Sequence, residues 1–229
     1  MQHGPGHCKW IFARLAKFFF DPSRGLRRGL WTARTLLMKT TPKDLLARLE
    51  ALGIATKTVE HVAVFTVAES QFIKESIPGG HTKNLFLKDK KGRIFLVTAQ
   101  AEAQIDLKRL HETIGASGRV SFGSAELLGE VLGVEPGSVT PLALVNDVEG
   151  RVSFVLDETL MGYDAINVHP LVNTMTTTIA AQDLLTFLRA TGHEPRVLAL
   201  PAPATESAPD VASDTASGDT GLTGAPNPS

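Results

Sequence analysis

The residues best equipped for chemistry form the run Gly79-Gly80-His81-Thr82-Lys83-Asn84, which leads directly into the apolar Leu85-Phe86-Leu87. Consecutive glycines let a backbone turn sharply and come close to a ligand. Lys83 and Asn84, at the mouth of a strand, offer donors for phosphate, carbonyl or hydroxyl oxygens. The same residues also fit a solvated lysine ahead of an edge strand, because most charged side chains are simply exposed. A second loop, Pro136-Gly137-Ser138-Val139-Thr140-Pro141, is a stiff turn that can present the backbone groups of Gly137 and Ser138 to a ligand. It also reads as an ordinary helix-to-strand connection.

Exclusion narrows the chemistry further. The sequence contains no G-x-x-x-x-G-K-[ST] phosphate loop, no G-x-G-x-x-G turn, no H-E-x-x-H helix and no G-x-S-x-G nucleophile elbow. Its one cysteine, Cys8, lies in the basic N-terminal stretch. The central part therefore has no thiol for a disulfide, a Cys-based zinc site or nucleophilic attack. Lack of disulfide pairs fits a cytoplasmic protein. His61, His81, His111, His169 and His193 are scattered rather than spaced as ligands on one helix, so neither zinc nor another cofactor is expected. From the residues alone the reading stops at a soluble α+β domain with two candidate ligand loops.

The elements that must hold those loops are legible from pattern. Thr41-Pro42-Lys43-Asp44 supplies an N-cap, a first-turn proline and an acid at the positive end of the dipole. Leu45, Leu46, Leu49 and Leu52 then line one helical face up to Gly53. A strand is expected over 57–61, and Thr66-Val67-Ala68-Glu69 reads as a capping box for a helix to Glu75. The segments 84–89 and 93–98, around Lys90-Lys91-Gly92, read as an antiparallel hairpin. A helix over 105–114, a strand over 119–122 and a helix capped by Ser124 follow. Residues 142–145 and 152–156 read as strands joined by a turn at 146–150. Then come a strand over 164–168 ending at His169-Pro170, a partly exposed final strand over 173–178 and a helix over 182–191. Tight turns between strand pairs predict an α+β domain with a mixed, largely antiparallel sheet packed with helices, not a Rossmann arrangement.

Charge divides the chain into three. Behind a net charge of −1, residues 1–37 carry +6, residues 38–200 carry −3 and residues 201–229 carry −4. A near-neutral centre does not coat nucleic acid nonspecifically, but it leaves room for a local phosphate contact. No apolar run is long enough to span a membrane. The basic extension 1–37 reads either as an amphipathic helix lying on a membrane or on nucleic-acid phosphates, or as a start assigned upstream of Met38. Residues 38–200 form the domain. After Pro195 the chain turns into an Ala/Pro/Ser/Thr/Asp/Gly stretch, and the acidic tail 201–229 is expected to be disordered for want of apolar surface.

Taken together, Ile77-Pro78-Gly79-Gly80-His81-Thr82-Lys83-Asn84-Leu85-Phe86-Leu87-Lys88-Asp89 resembles the signature of the YbaK and prolyl-tRNA synthetase-associated editing domain family. The likeness continues through His61-Val62-Ala63-Val64-Phe65-Thr66-Val67-Ala68-Glu69, Gly137-Ser138-Val139-Thr140-Pro141, Asn167-Val168-His169-Pro170 and 173–178, and so spans residues 40–195 in order. It is strongest to the free-standing bacterial branch that deacylates Ala-tRNA(Pro). Val62 in place of a proline and Ala180-Ala181 in place of a better helix cap depart from the pattern, and neither touches the lysine motif.

The resemblance implies a YbaK-like editing fold and a trans-editing enzyme that hydrolyses a mischarged aminoacyl ester on tRNA(Pro). By that carry-over Lys83 is the catalytic lysine, Asn84 binds the acceptor end or the reacting ester, and His169 lines the aminoacyl pocket. Gly137, Ser138 and Thr140 shape the substrate site. A tight, largely apolar pocket is expected near Lys83, with no metal or other cofactor. The implied partners are the acceptor end of mischarged tRNA(Pro), with prolyl-tRNA synthetase or an elongation factor beside it, and no membrane. A Cys- or Ser-tRNA deacylase of the same superfamily and a non-catalytic tRNA- or synthetase-binding module stay open as alternatives.

Overall fold

The computed structural model describes residues 39–62 and 76–203. The helix expected over 66–75, the basic extension and nearly all of the acidic tail lie outside those residues. Thr41 opens the first element as expected. Its hydroxyl accepts the Asp44 N–H, and the Asp44 carboxylate reaches back to Thr41, a reciprocal cap on helix α1, Pro42–Ala51. Leu45 and Leu49 on the inner face are fully buried, whereas Leu52 lies past the helix end and is exposed.

Among the described residues eight strands make one mixed sheet: β1, Thr56–Glu60; β2, Gly80–Lys88; β3, Ile94–Gln100; β4, Ser121–Phe122; β5, Val152–Asp157; β6, Ala165–Val168; β7, Met175–Ala180; and β8, Arg196–Leu198. Their order across the sheet is β1-β7-β6-β2-β3-β5-β8, with β4 on part of β2. The pairs β1/β7, β6/β7, β2/β3 and β2/β4 are antiparallel, and β2/β6, β3/β5 and β5/β8 are parallel. The expected α+β class with a mixed sheet is what forms.

Asp89 fixes the β2–β3 hairpin. Its carboxylate accepts the N–H groups of Lys91, Arg93 and Ser117 and the Arg93 Nε–H. Burial pushes this carboxyl up, but the donors around it prevail and hold its pKa at about 2. Because strand side chains alternate, β2 and β3 then feed two cores. Phe86, Ile94 and Leu96 join α1, α3 (Ala125–Val131) and α4 (Ala181–Ala190) in the main core. Leu87, Phe95 and Val97 face the other way, onto Leu110 and Ile114 of the short helix α2, Leu110–Ile114.

Several expected elements change form. Residues 142–145 are not a strand; they lie in the 3-10 helix Pro141–Asn146. Thr140 caps it by accepting the Leu142 N–H, and Pro141 presets its first turn. A run of consecutive buried residues has no period that separates helix from strand. β5 therefore has no hairpin partner before it and pairs in parallel with β3. The helix expected over 105–114 keeps only its last turn, because the Asp106 carboxylate accepts the N–H groups of Lys108 and Arg109 and draws that segment into a turn. The strand over 119–122 is reduced to β4. The threonine-rich strand is partly exposed, at Met175, Thr178 and Ala180, but it is not the final one: β7 lies between β1 and β6, and the chain after Pro195 returns as β8 on β5.

Candidate active site

The glycine pair is explained by what it touches. A Cβ on Gly79, whose φ is 112°, would stand 2.7 Å from the Ala165 carbonyl oxygen, and one on Gly80 would stand 2.8 Å from the Tyr163 ring. Only glycine lets the start of β2 lie this close to β6. The two strands pair in parallel at Gly80/Ile166 and His81/Asn167 and no further. The Thr82 hydroxyl closes the contact by donating to the Asn167 carbonyl at 2.8 Å. Beyond it β6 ends at Val168 while β2 runs on beside β3. From that point the two parallel strands part at their carboxyl ends. Lys83 and Asn84 follow directly on the β2 side, and His169 follows β6.

Lys83 and Asn84 are sequence neighbours that serve opposite faces of the sheet. Lys83 shares a side with Leu85 and Leu87; it is half-buried, and its ammonium donates to the Ala103 carbonyl. Asn84 shares a side with Phe86. Its Nδ2 donates to the Val139 carbonyl at 2.9 Å and its Oδ1 accepts from the Thr98 hydroxyl at 2.7 Å, so the amide is fixed and ties the 136–141 loop to β2. The run from Gly79 is thus not one polar cluster but two, on either side of a strand.

His169 stands in the turn between β6 and β7. Its Nδ1–H donates to the Met175 carbonyl at 3.0 Å; a carbonyl only accepts, so the neutral ring keeps a lone pair on Nε2. Burial is the largest influence on this imidazole and lowers its pKa; the Met175 carbonyl acts the other way, and nearby His61 adds to the lowering. His61 itself contacts the Thr176 hydroxyl through Nε2 at 2.9 Å. The turn is braced by Leu171, buried with a φ of 70°, a left-handed conformation that costs a non-glycine residue about 1–2 kcal/mol.

In the second loop only Gly137 of the three candidates is exposed. A Cβ there would be 3.7 Å from the Asn173 side-chain nitrogen, so the loop tip adjoins the His169 turn. Ser138 is buried and its N–H donates to the Glu135 carbonyl, while Thr140 is fully buried as the 3-10 helix cap. Both sit beneath the loop rather than on its surface. The structure thus brings Asn84, the 137–139 loop and the His169 turn to one end of the sheet and turns the Lys83 side chain to the opposite face. Thr98 and Ala103 join the site as hydrogen-bond partners of Asn84 and Lys83. Their roles depend on cross-strand register and loop return, which no local motif encodes.

Residues 57–187 match the model of the aminoacyl-tRNA editing domain, and the chain belongs to that family. Among its relatives, the prolyl-tRNA synthetase associated domain-containing protein 1 of Bos taurus is 43% identical over 155 residues, 66% of this chain and 90% of that protein. The prolyl-tRNA editing protein ProX of Acetoanaerobium sticklandii is 35% identical over 150 residues, 65% of this chain and 91% of that protein. A crystal structure of a candidate trans-editing enzyme for prolyl tRNA synthetase shares the fold, with a TM-score of 0.54 at 22% identity, covering 70% of this chain and 97% of that one. Among the described residues no group of three His, Cys, Asp or Glu side chains is placed to hold a metal ion, and no helix is long and apolar enough to cross a membrane.

Proposed function

We propose that this protein is a trans-editing deacylase that hydrolyses Ala-tRNA(Pro) in the cytoplasm and so protects translation from alanine at proline codons. The observation that carries the reading is the point where the pairing of β2 with β6 ends, with Lys83 and Asn84 next on one strand, His169 leaving the other and the 137–139 loop bonded to Asn84. Relatives named for prolyl-tRNA synthetase and for prolyl-tRNA editing support tRNA(Pro) as the nucleic acid, its acceptor end as the part bound and the synthetase as a neighbour in the cell.

The chemistry suits these residues. An aminoacyl ester is already activated, so a positioned water, helped by the vicinal ribose hydroxyl, is nucleophile enough and no serine or cysteine is needed. The Ala103 carbonyl takes one of the three N–H donors of Lys83, which leaves two for the acceptor-end phosphate, the ribose or the developing oxyanion. The Nε2 lone pair of neutral His169 can accept from the substrate ammonium or from water. A synthetase pocket built for proline rejects the smaller alanine by only about 1–3 kcal/mol, so a second site that admits alanine and excludes proline completes the selection.

Deacylation of Ala-, Cys- and Ser-tRNA(Pro) by the wild type and by Lys83→Ala tests the proposal. Ala-tRNA(Pro) is expected to be hydrolysed fastest, and the variant to lose about a hundredfold in rate, on the scale of a lost transition-state donor, with an unchanged melting temperature. Faster turnover of the Cys or Ser substrate would reassign the amino acid. Binding without hydrolysis would point to a docking module. Equal rates for wild type and variant would remove Lys83 from the chemistry.

A further inference from the structure

Residues of β2 alternate in the edge they serve. The His81 carbonyl accepts from the Ala101 N–H, and the pairs Lys83/Ala99, Leu85/Val97 and Leu87/Phe95 keep that phase, so odd-numbered residues direct their main-chain groups to β3. Even-numbered residues direct theirs to the opposite edge, as the Phe86 carbonyl does in accepting from the Gly123 N–H. β6 covers that edge only as far as His81/Asn167, and β4 covers it only from Leu87/Phe122 onward. The Thr82 C=O and the Asn84 N–H lie in the gap, with no strand opposite them among the described residues.

These two groups straddle Lys83. In a parallel ladder such a pair takes the N–H and the C=O of a single partner residue. Both are held in place from the side chain: Thr82 by the Asn167 carbonyl, and Asn84 by Val139 and Thr98. Residues 81–85 are only partly buried, where Phe86 and Leu87 are buried.

We propose that the aminoacyl group of the substrate completes this interrupted ladder, its α-ammonium donating to the Thr82 C=O and its ester carbonyl accepting from the Asn84 N–H. The inference rests on the deacylase reading. An aminoacyl ester is one amino-acid residue, with a donor nitrogen and an acceptor carbonyl on either side of a single Cα, and so it offers an open sheet edge what a strand residue offers. Once seated, its carbonyl oxygen gains charge at the Asn84 N–H as the water oxygen bonds to the acyl carbon. The electron pair then returns, the acyl–ribose C–O bond breaks, and one water proton ends on the ribose oxygen while the other is released as the amino-acid carboxyl ionises. Because only main-chain groups make the contact, it sets the orientation of any L-aminoacyl group, and the choice of amino acid is left to the surrounding side chains.

Amide NMR of the full chain with a non-hydrolysable 3′-alanylamido-adenosine tests this. The Asn84 amide proton is expected to move downfield and to exchange about tenfold more slowly, as a newly bonded amide does. A propionylamido analogue, which lacks the ammonium, is expected to bind about tenfold more weakly, the loss of one charge-assisted hydrogen bond. If the analogue perturbs His169 and Gly137 but leaves Asn84 unmoved, or if both analogues bind alike, the ladder is wrong and the deacylase reading survives. If the analogue perturbs none of these residues and Ala-tRNA(Pro) is not hydrolysed, both fall together.

Discussion

The two halves of the sheet are built to different rules. β3 is buried from Ile94 to Ala99, with a core on each face, and its neighbours β2 and β5 contribute to both cores. β7 is equally central in the other half, yet Ile179 packs into the main core while Thr176 and Thr178 contact His61 and Asn167 on the reverse face. One half is stiff because apolar atoms surround it. The other leaves polar groups aligned on a rigid frame. β2 belongs to both halves, apolar over Leu85-Phe86-Leu87 and polar before it, and the candidate site falls at that change. A strand held by a two-sided core at one end and parted from β6 at the other keeps its geometry where the pairing stops.

The largest effect that would sharpen this contrast is a cavity in the two-sided half. Phe154→Ala, at a fully buried β5 position, is expected to cost about 3–5 kcal/mol in urea unfolding, whereas Thr178→Val in the polar half costs less than about 1.5 kcal/mol. Similar costs for the two would erase the distinction.

Next comes the seam between the halves. Gly80→Ala drives a Cβ into the Tyr163 ring and is expected to cost about 1–3 kcal/mol, with much of it recovered in the Gly80→Ala/Tyr163→Ala double variant. A double variant no more stable than the single one would show that the Tyr163 ring is not what sets the cost of the added methyl group.

Acid gives the smallest and most selective probe. Asp89, in the stiff half, falls from its ordinary 3.8 to about 2 on folding, so its contribution is complete above about pH 4 and is lost as pH drops through the folded value. His169, in the polar half, is also lowered, from 6.5; the folded state then binds fewer protons just below that value, and its contribution is complete above about pH 6.5 and declines on acidification. Unfolding free energies at about pH 7, 5 and 3 should show His169→Gln flattening the fall that begins below about pH 6.5, and Asp89→Asn flattening only the fall between about pH 5 and 3. A variant that flattens the wrong interval would overturn the assignment of that limb.

Where the signal was local, the sequence was enough. Thr41 and Asp44 cap α1 because a cap needs residues three apart and nothing else, and Lys90-Lys91-Gly92 turns the hairpin for the same reason. The missing cap ahead of the last helix was equally visible, since Ala180 makes no side-chain cap bond. The failures were those where burial replaced period. Residues 142–145 are apolar at every position, and only the buried Thr140 cap and the packing above them select a 3-10 helix. β8 is three residues long and is a strand only because β5 offers it an edge.

The candidate site divides along the same line. The amino-acid sequence alone determined that a glycine pair delivers Lys83 and Asn84 into a strand, that a second glycine loop and a histidine turn lie downstream, and that these motifs in this order mark an editing domain. It determined this because residue type and short spacing are written in the chain. Only the tertiary structure decided that Lys83 and Asn84 serve opposite faces, that Thr140 lies under its loop, and that pairing with β6 stops at His81, two residues short of Lys83, with no strand opposite Thr82 and Asn84 on that edge among the described residues. Those facts depend on which strand lies beside which and in what register, and register is set by contacts between residues far apart in sequence.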